Sequence, residues 1–385
     1  MKHPLIRQID LTSKKHPFLN CYSTFLFLFL VQAIFGSWMF SSSLIWLLAL
    51  PQAALTLFLI LKPQHSDNIN LPVILTLVTI AGCVSPLIRV FELQSESPEW
   101  FLWLFVVAQL IMIWESMSSW SRINTDHKPL LGNIINLIVP FLFGASLIYI
   151  WEILTVGFNV PQILLPSPHL IALAFAKSTS VLWADFQQTF VKAVLSGYLM
   201  GCGSGFLVAI LIDRVPFLQK GLLPLGNLVS ALPIVGVAPI MVMWFGFDWQ
   251  SKAAVVVIMT FFPMLVNTLT GIASTGHMER DLMYSYASNY SQSLLLLRLP
   301  NALPFIFNAL KINSTLALIG AIVAEFFGTP IVGMGFRISI EVGRMNVDVV
   351  WATITVAALS GSLFYALIAL CERRLTSWHP SLRKN

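Results

Sequence analysis

The chain has 385 residues, of which 57% are hydrophobic and only 10% are charged. A soluble domain carries about 25% charged residues, so this composition excludes an ordinary soluble globular protein. The mean hydropathy is +0.81 and the apolar runs are continuous, which favours a helical bundle in a membrane over a β-barrel. The net charge of +5 fits basic loops at a membrane surface better than nucleic-acid binding.

Ten apolar runs are candidate transmembrane helices, so we predict an all-α integral membrane fold. Each run is near the ~20 residues needed to cross ~30 Å of hydrocarbon. The runs are 18–40, 43–61, 71–88, 101–116, 133–154, 189–212, 222–246, 253–271, 303–325 and 350–370. Segments on the side of the N-terminus hold roughly three times as many Lys and Arg residues as those on the other side. This bias predicts that both termini and the 279–302 loop are cytoplasmic.

The runs fall into two blocks joined by a short polar linker at about 122–132. Residues 1–132 hold four runs and resemble nothing that we recognise. Residues 133–385 hold six runs and every feature discussed below. We predict a four-helix N-terminal extension of unknown role, followed by a six-helix core. Packing around the core as extra scaffold is the simplest interpretation of the extension.

The run 189–212 carries Gly197, Gly201 and Gly205 at a spacing of four, with Gly203 between them. Glycines at that spacing form one flat face of a helix and allow a neighbouring backbone to approach closely. We interpret this face as a helix-packing surface rather than as part of a transport route.

The runs between 222 and 271 contain helix-breaking and polar residues at membrane depth. Pro233 and Pro239 interrupt the first run, which ends near Trp244, and Pro263 predicts a further break in the second. Broken backbone inside a membrane is tolerated where it is buried in protein or lines a cavity. We therefore place Pro233, Pro239, Trp244, Asn267 and Thr268 at a translocation pathway. For Asn267 and Thr268, a simple hydrogen bond to a neighbouring helix is an equally good alternative.

The run 303–325 holds two ionisable residues, Lys311 and Glu325. An ionisable group within lipid is costly, which suggests function by default. Lys311 is near enough to the inner surface to extend its ammonium group into water, so we interpret it as structural. Glu325 is predicted to lie at the outer edge of the pathway.

Residues 279–304 are polar, then apolar, and end in Leu299-Pro300 and Leu303-Pro304. This is long for a plain connector between two membrane helices, although a solvated loop without a partner remains an alternative. The arrangement resembles the loop of permease subunits of bacterial ATP-binding-cassette (ABC) importers. That family's pattern is Glu-Ala-Ala, three residues, Gly, nine residues, an aliphatic residue, one residue and Leu-Pro.

With the Leu-Pro pair placed on Leu299-Pro300, Asp281 stands at the Glu position and Leu282-Met283 stand at the Ala-Ala positions. Ala287 stands at the Gly position and Leu297 at the aliphatic one, so the spacing and the Leu-Pro end match while the head departs from the pattern. Ala disfavours positive φ, so we expect the turn at Ala287 to differ from the one that the family's glycine allows.

Further stretches of residues 133–385 are similar to permeases for nitrate, sulfonates, taurine, bicarbonate and related solutes. These are Trp151-Glu152, Leu165-Pro166-Ser167-Pro168, Trp244-Phe245-Gly246, Asn267-Thr268, Val323-Ala324-Glu325 and Glu372-Arg373-Arg374. The resemblance implies a type I ABC importer permease of the binding-protein-dependent class, in a bacterial inner membrane.

The resemblance also implies partners: a second permease chain in a homodimer, a separate cytoplasmic ABC ATPase and a periplasmic solute-binding protein. Residues 281–293 would form a short helix docked on the ATPase, and Leu299-Pro300 would end that helix. The ATPase-coupling residues are then Asp281, Tyr284, Ser285, Tyr286, Ala287, Ser288, Tyr290, Leu299 and Pro300.

The sequence contains no phosphate-binding Gly-x-x-x-x-Gly-Lys-Ser/Thr loop and no evident catalytic or metal-ligand constellation. We therefore predict a non-enzymatic subunit with no cofactor of its own, ATP being used by the partner ATPase. Two alternatives stay open: a transporter driven by an ion gradient, for which an inverted repeat would be expected, and a membrane scaffold. The substrate is also open among sulfonates, nitrate and small organic solutes such as pyrimidine vitamin precursors.

Overall fold

The computed structural model describes residues 70–93, 100–121, 123, 129–215, 217–218, 221, 232–328 and 331–378. Every secondary-structure element within these ranges is a helix. The chain divides into two compact units, Met1–Pro168 and His169–Asn385. The predicted runs 18–40 and 43–61, and the first part of 222–246, lie outside the described residues. The division into 1–132 and 133–385 stays a prediction.

The first unit contains α1 (Asn70–Leu93), α2 (Trp100–Ser121) and α3 (Pro129–Gly157). Each of the three helices packs against the other two. Val106, Tyr149 and Ile153 are buried at their centre. Polar contacts also cross between α1 and α2, since the Trp120 indole N–H donates to Thr76 Oγ1 at 2.8 Å and the Ser116 hydroxyl lies 2.7 Å from the same oxygen.

The second unit begins with α4 (Pro168–Lys177) and α5 (Thr179–Arg214), the latter with a π-helical stretch at Gln187–Val194. Then follow the helices α6 (Ile234–Phe245), α7 (Trp249–Ala273), α8 (His277–Ser285), α9 (Tyr290–Glu325), α10 (Met334–Gly343) and α11 (Val347–Leu375). Helix α7 is the centre of this unit, since α5 and α9 pack against it more extensively than any other pair of described helices does.

Five helices among the described residues are long and apolar enough to cross a membrane: Ile135–Gly157, Thr179–Arg214, Trp249–Ala273, Tyr290–Glu325 and Val347–Leu375. They correspond to five of the ten predicted runs, which confirms the all-α membrane fold. Helices α1 and α2 coincide with two more predicted runs.

The glycine face of α5 is confirmed as a packing surface. A Cβ at Gly197 would lie 2.7 Å from the Ala253 carbonyl oxygen, and one at Gly205 would lie 2.5 Å from that of Phe261. A Cβ at Gly203 would meet nothing within 4 Å. The spacing of four therefore brings the α5 backbone against α7, where any side chain would separate the helices.

The prolines behave differently from the prediction in two of three places. Pro233 immediately precedes α6, so it does mark a helix start. Pro239 and Pro263 lie inside the continuous helices α6 and α7, so the predicted breaks at these residues are wrong. A membrane helix keeps an interior proline when neighbouring helices hold the segment in place, and α5 and α9 hold α7 in this way.

Candidate functional site: the two ends of α9

Helix α8 and the turn after it stand away from the packed helices. None of the nine residues of α8, all within the described part of the chain, is buried. Met278, Leu282, Tyr284 and Tyr286 are exposed, Tyr284 by 86%. We call these four residues the exposed loop surface. Large exposed apolar and aromatic side chains on a polar loop are typical of protein interaction sites.

The predicted helix over 281–293 is wrong in its extent. Helix α8 ends at Ser285, a turn follows, and Asn289 caps the start of α9 in a reciprocal pair with Gln292. The turn is closed on Met283, whose carbonyl oxygen accepts from the Ser288 backbone N–H at 3.1 Å and from its hydroxyl at 2.8 Å. Polar residues that cap a new helix favour a second start over one long helix.

Ala287 adopts a φ of 53° in this turn. The expectation that alanine would change the turn away from positive φ is therefore wrong. The hydrogen bonds on either side of Ala287 hold the chain in the left-handed region, which costs an L-residue roughly 1–2 kcal/mol.

The Leu299-Pro300 pair does not end the helix, which corrects a second expectation. Helix α9 continues through it to Glu325, after a π-helical turn at Leu294–Arg298. Pro300 stands at the start of the regular α-helical part, where a proline needs no partner for its missing N–H. The connection from the loop into the core of the second unit is thus one continuous helix.

Three side chains fix the start of α9 to the end of α5. Arg298 donates to both oxygens of Asp213, at 2.6 and 2.8 Å, and the Tyr290 hydroxyl donates to Asp213 Oδ2 at 2.8 Å. We call Asp213, Tyr290 and Arg298 the anchor cluster. Tyr290 was predicted to contact a partner, but its hydroxyl is used inside the chain.

The other side of the loop is hydrogen-bonded to the end of α7. The Arg280 guanidinium donates to the Ile272 and Ala273 carbonyl oxygens at the end of α7, at 3.3 and 3.0 Å. The exposed loop surface therefore sits on a base that is bonded to α5, α7 and α9. Of the remaining predicted coupling residues, Asp281 and Ser285 are exposed on α8, and Ser288 lies in the turn.

At the opposite end of α9, the Glu325 side chain is buried and hydrogen-bonded. Thr189 donates to its Oε1 at 2.7 Å and the Gly335 backbone N–H donates to its Oε2 at 2.6 Å. Asp185 accepts from the Gly333 N–H at 2.8 Å, and Thr189 accepts from the Met334 N–H at 2.8 Å. We call Asp185, Thr189 and Glu325 the carboxylate cradle.

The carboxylate cradle accepts hydrogen bonds from three consecutive backbone N–H groups at the start of α10, those of Gly333, Met334 and Gly335. These groups have no partner inside a helix and carry its partial positive charge, so two carboxylates stabilise them. Arg337 adds an ion pair with Asp185 at 2.8 Å. The cradle thereby joins α5, α9 and α10.

Gly333 and Gly335 make this approach possible. A Cβ on Gly335 would overlap the Ile322 carbonyl oxygen and lie 2.8 Å from the Glu325 Cβ. Gly333 adopts a φ of 147°, which L side chains rarely take.

The remaining predicted pathway residues are dispersed. Pro233, Pro239 and Trp244 are exposed on or beside α6. Asn267 donates to the Pro263 carbonyl oxygen of its own helix at 2.8 Å. The Thr268 hydroxyl is buried and has no hydrogen-bond partner within the described residues. Neither residue bonds a neighbouring helix there, and the pathway role of all five stays a prediction.

An apolar cavity of about 160 Å³ lies between α6, α7 and α9. Its lining includes Leu232 and Ile234 on either side of Pro233, together with Pro263. The proline-rich runs therefore do border a cavity, as broken or proline-containing membrane segments are expected to do.

Lys311 has a structural partner, in agreement with its interpretation as a structural residue. Its ammonium group binds both oxygens of Glu372 on α11, at 2.8 and 3.0 Å. Charged residues within membrane helices commonly pair with one another. The sequence reasoning also missed Asp185, Thr189, Asp213, Arg298 and Arg337. Asp185, Asp213 and Arg298 lie within a few residues of the borders of apolar runs, which was the available indication.

Residues 197–377 match the family described as binding-protein-dependent transport system inner membrane component. The riboflavin transport system permease protein of Chloroflexus aurantiacus is 30% identical over 255 residues, which cover 66% of this chain and 92% of that protein. The chain belongs to this permease family. The formylaminopyrimidine transport permease protein of Halalkalibacterium halodurans is 31% identical, with 62% of this chain and 95% of that protein covered.

A putative aliphatic sulfonates transport permease protein of Bacillus subtilis is 29% identical over 62% of this chain and 87% of its own length. The permease is thus an ABC-type, multi-pass inner-membrane transport component, as the loop pattern and the membrane helices predicted. The four-residue glycine spacing, the loop and the carboxylate cradle all lie within or next to the matched residues.

Proposed function

We propose that this permease is the membrane subunit of an ATP-driven importer, coupled to a separate cytoplasmic ATPase through the exposed loop surface. The observation that carries the proposal is the contrast between Tyr284 and Arg298. The Tyr284 side chain is 86% exposed, whereas Arg298 ties the same loop to Asp213 through two hydrogen bonds. A docking surface on a rigid base is what coupling requires, because a force applied to a flexible loop would be lost.

The route of the coupling follows from the continuity of α9. Movement of the exposed loop surface would be carried by one unbroken helix from Tyr290 to Glu325. At its far end, Glu325 holds the start of α10 through the Gly335 N–H. A displacement at the ATPase would therefore reach the carboxylate cradle. The two ends of α9 would then move together.

The proposal includes a periplasmic solute-binding protein, a second permease chain forming a homodimer, and cytoplasmic termini. These follow from the permease family and from the charge bias of the loops. The substrate is proposed to be a small solute. The names of the relatives include riboflavin, formylaminopyrimidine and aliphatic sulfonates, and we do not choose among these classes.

The test is purification of the tagged permease from its native membrane, followed by mass spectrometry of the bound proteins. We expect a stoichiometric nucleotide-binding ATPase. The substitution Tyr284→Ala should weaken its binding about 5- to 30-fold, which corresponds to the ~1–2 kcal/mol or more of an interface hot spot. Tyr365→Ala, at an exposed tyrosine on α11, is the matched control and should retain the ATPase.

Isolation of the permease without any ATPase would contradict the proposal and favour transport driven by an ion gradient. Retention of the ATPase by both Tyr284→Ala and Tyr286→Ala would contradict the docking surface and leave the importer assignment in place.

A further inference from the structure

A cavity lies within the first unit, between α1, α2 and α3. Its volume is about 230 Å³. This is slightly below the ~300–1,000 Å³ of typical ligand pockets, so the occupant is small or only partly enclosed. Its twelve lining residues, all described, include no acidic, basic or histidine side chain. These lining residues supply no counter-charge, so they disfavour an ionised ligand.

The hydroxyl groups on one wall are already used. The Thr76 hydroxyl donates to the Pro72 carbonyl oxygen at 2.8 Å. Since its proton is taken, the Ser116 hydroxyl is the donor in the 2.7 Å contact between them, and the Trp120 indole N–H also donates to Thr76. Neither hydroxyl has a proton left for a ligand.

The same holds for the other two small hydroxyl residues of the lining. Thr79 donates to the Leu75 carbonyl oxygen at 2.6 Å, and Ser146 donates to that of Phe143 at 2.7 Å. These bonds run back along the residue's own helix, as Ser and Thr commonly do in membrane helices.

Tyr149 is different. Its side chain is buried, with 9% exposure, and lines the cavity, yet its hydroxyl forms no well-aligned hydrogen bond within the described residues. The Cys83 thiol, a weak donor and acceptor, is its polar neighbour. A buried tyrosine hydroxyl ordinarily finds a partner. Among the lining residues, Tyr149 therefore offers the one strong donor that no oxygen of the described residues accepts.

We propose that this cavity binds a small, uncharged, membrane-dissolved molecule whose carbonyl or ether oxygen accepts the Tyr149 hydrogen bond. The apolar walls disfavour a charged or strongly hydrated solute. The threonine and serine hydroxyls of the lining already donate to protein oxygens. They therefore cannot serve a ligand that needs several hydrogen-bond donors. The site gives α1, α2 and α3 a role beyond scaffold, because together they hold a lipophilic ligand.

The test uses benzophenone, an uncharged aromatic ketone that cross-links to nearby C–H bonds under ultraviolet light. The full-length permease in lipid nanodiscs is irradiated at increasing benzophenone concentration, and the attachment sites are mapped by peptide mass spectrometry. We expect saturable labelling at cavity residues such as Cys83, Ile113 and Leu142. Tyr149→Phe removes only the hydroxyl and should raise the half-saturating concentration about 2- to 10-fold, the range for one neutral hydrogen bond.

Ala145→Phe places an aromatic ring at the cavity lining and should abolish saturable labelling. Gly144→Phe is its matched control, because a side chain there enters open space and Gly144 is not part of the lining. Labelling that rises without saturation, or that is equal in the Ala145→Phe and Gly144→Phe variants, would overturn the site. That result would show that the chain's own residues or bulk lipid occupy the cavity. Equal half-saturation in Tyr149→Phe would overturn the role of the hydroxyl donor.

Discussion

Arg298 and Asp213 are 85 residues apart in the sequence and joined by two hydrogen bonds of 2.6 and 2.8 Å. Each side chain keeps 14% of its surface exposed. The pair fixes the start of α9 to the end of α5, and so determines how the loop before α9 is held.

Asp213→Ala removes the acceptor of both Arg298 and Tyr290. We expect the free energy of unfolding to fall by about 1.5–3 kcal/mol, the range for hydrogen bonds to a charged group. ATP-dependent uptake should fall by a larger factor than this loss of stability explains, because the loop is no longer fixed to α5. Thermal unfolding in detergent and uptake into proteoliposomes measure the two effects.

The control is Arg344→Ala, which removes the 3.2 Å pair with Glu341 at a side chain that is 64% exposed. Glu341 is buried but keeps its 2.8 Å hydrogen bond from Asn346. Loss of the exposed Arg344 end should therefore cost about 0–1 kcal/mol, and this variant should behave like the parent. Equal losses in the two variants would mean that the anchor cluster has no special role.

Ala287 gives a test of coupling itself. Ala287→Gly removes the cost of φ = 53° and should stabilise the turn by about 1 kcal/mol. Ala287→Val places a β-branched residue there and should uncouple ATP hydrolysis from uptake while the membrane helices stay folded. ATPase activity and uptake are measured on the same proteoliposomes. Normal uptake by the Val variant would refute the coupling role of this turn.

Thr189 tests the carboxylate cradle. Thr189→Val keeps the shape but leaves Glu325 Oε1 and the Met334 N–H without a partner, at about 1–3 kcal/mol for each buried group. Thr189→Ser retains the hydroxyl and should restore most of the stability and uptake. If the Val and Ser variants unfold at the same temperature, the hydrogen bonds of the cradle contribute little.

The glycine face of α5 provides a matched pair. Gly201→Ala would bring a Cβ into the Thr260 hydroxyl and to 3.0 Å from the Val257 backbone, whereas Gly203→Ala enters open space. The first should destabilise by about 1–3 kcal/mol through overpacking. The second should be neutral or slightly stabilising, because alanine is the better helix former. Thermal unfolding of the two variants distinguishes these outcomes, and a destabilised Gly203→Ala would contradict the assigned face.

The sequence predicted the features that depend on local composition. Apolar runs of membrane length predicted the helices. The glycines at 197, 201 and 205 predicted a packing face, which the structure shows against α7. The spacing before Leu299-Pro300 indicated the permease family before any contact was known. These predictions succeed because hydrophobicity and residue spacing are properties of the local sequence and need no knowledge of distant contacts.

Local rules failed where neighbours outweigh a residue's preference. Pro263 was expected to break a helix that α5 and α9 hold intact, and Ala287 was expected to avoid a φ that the bonds around it impose. Lys311 was expected to be structural, but its partner Glu372 on the adjacent helix was not foreseen. Such preferences are worth about 1 kcal/mol for most residues and about 3 kcal/mol for a proline inside a helix, so several packed contacts reverse them.

By itself, then, the sequence determined that this is a helical membrane permease and which segment is its polar loop. Only the tertiary structure decided that Asp213 fixes that loop, that Thr189 and Glu325 hold α10, and that the Tyr149 hydroxyl faces a cavity. The physical reason is that each of these sites joins residues far apart in the chain, and no local pattern records which distant partner satisfies a buried polar group.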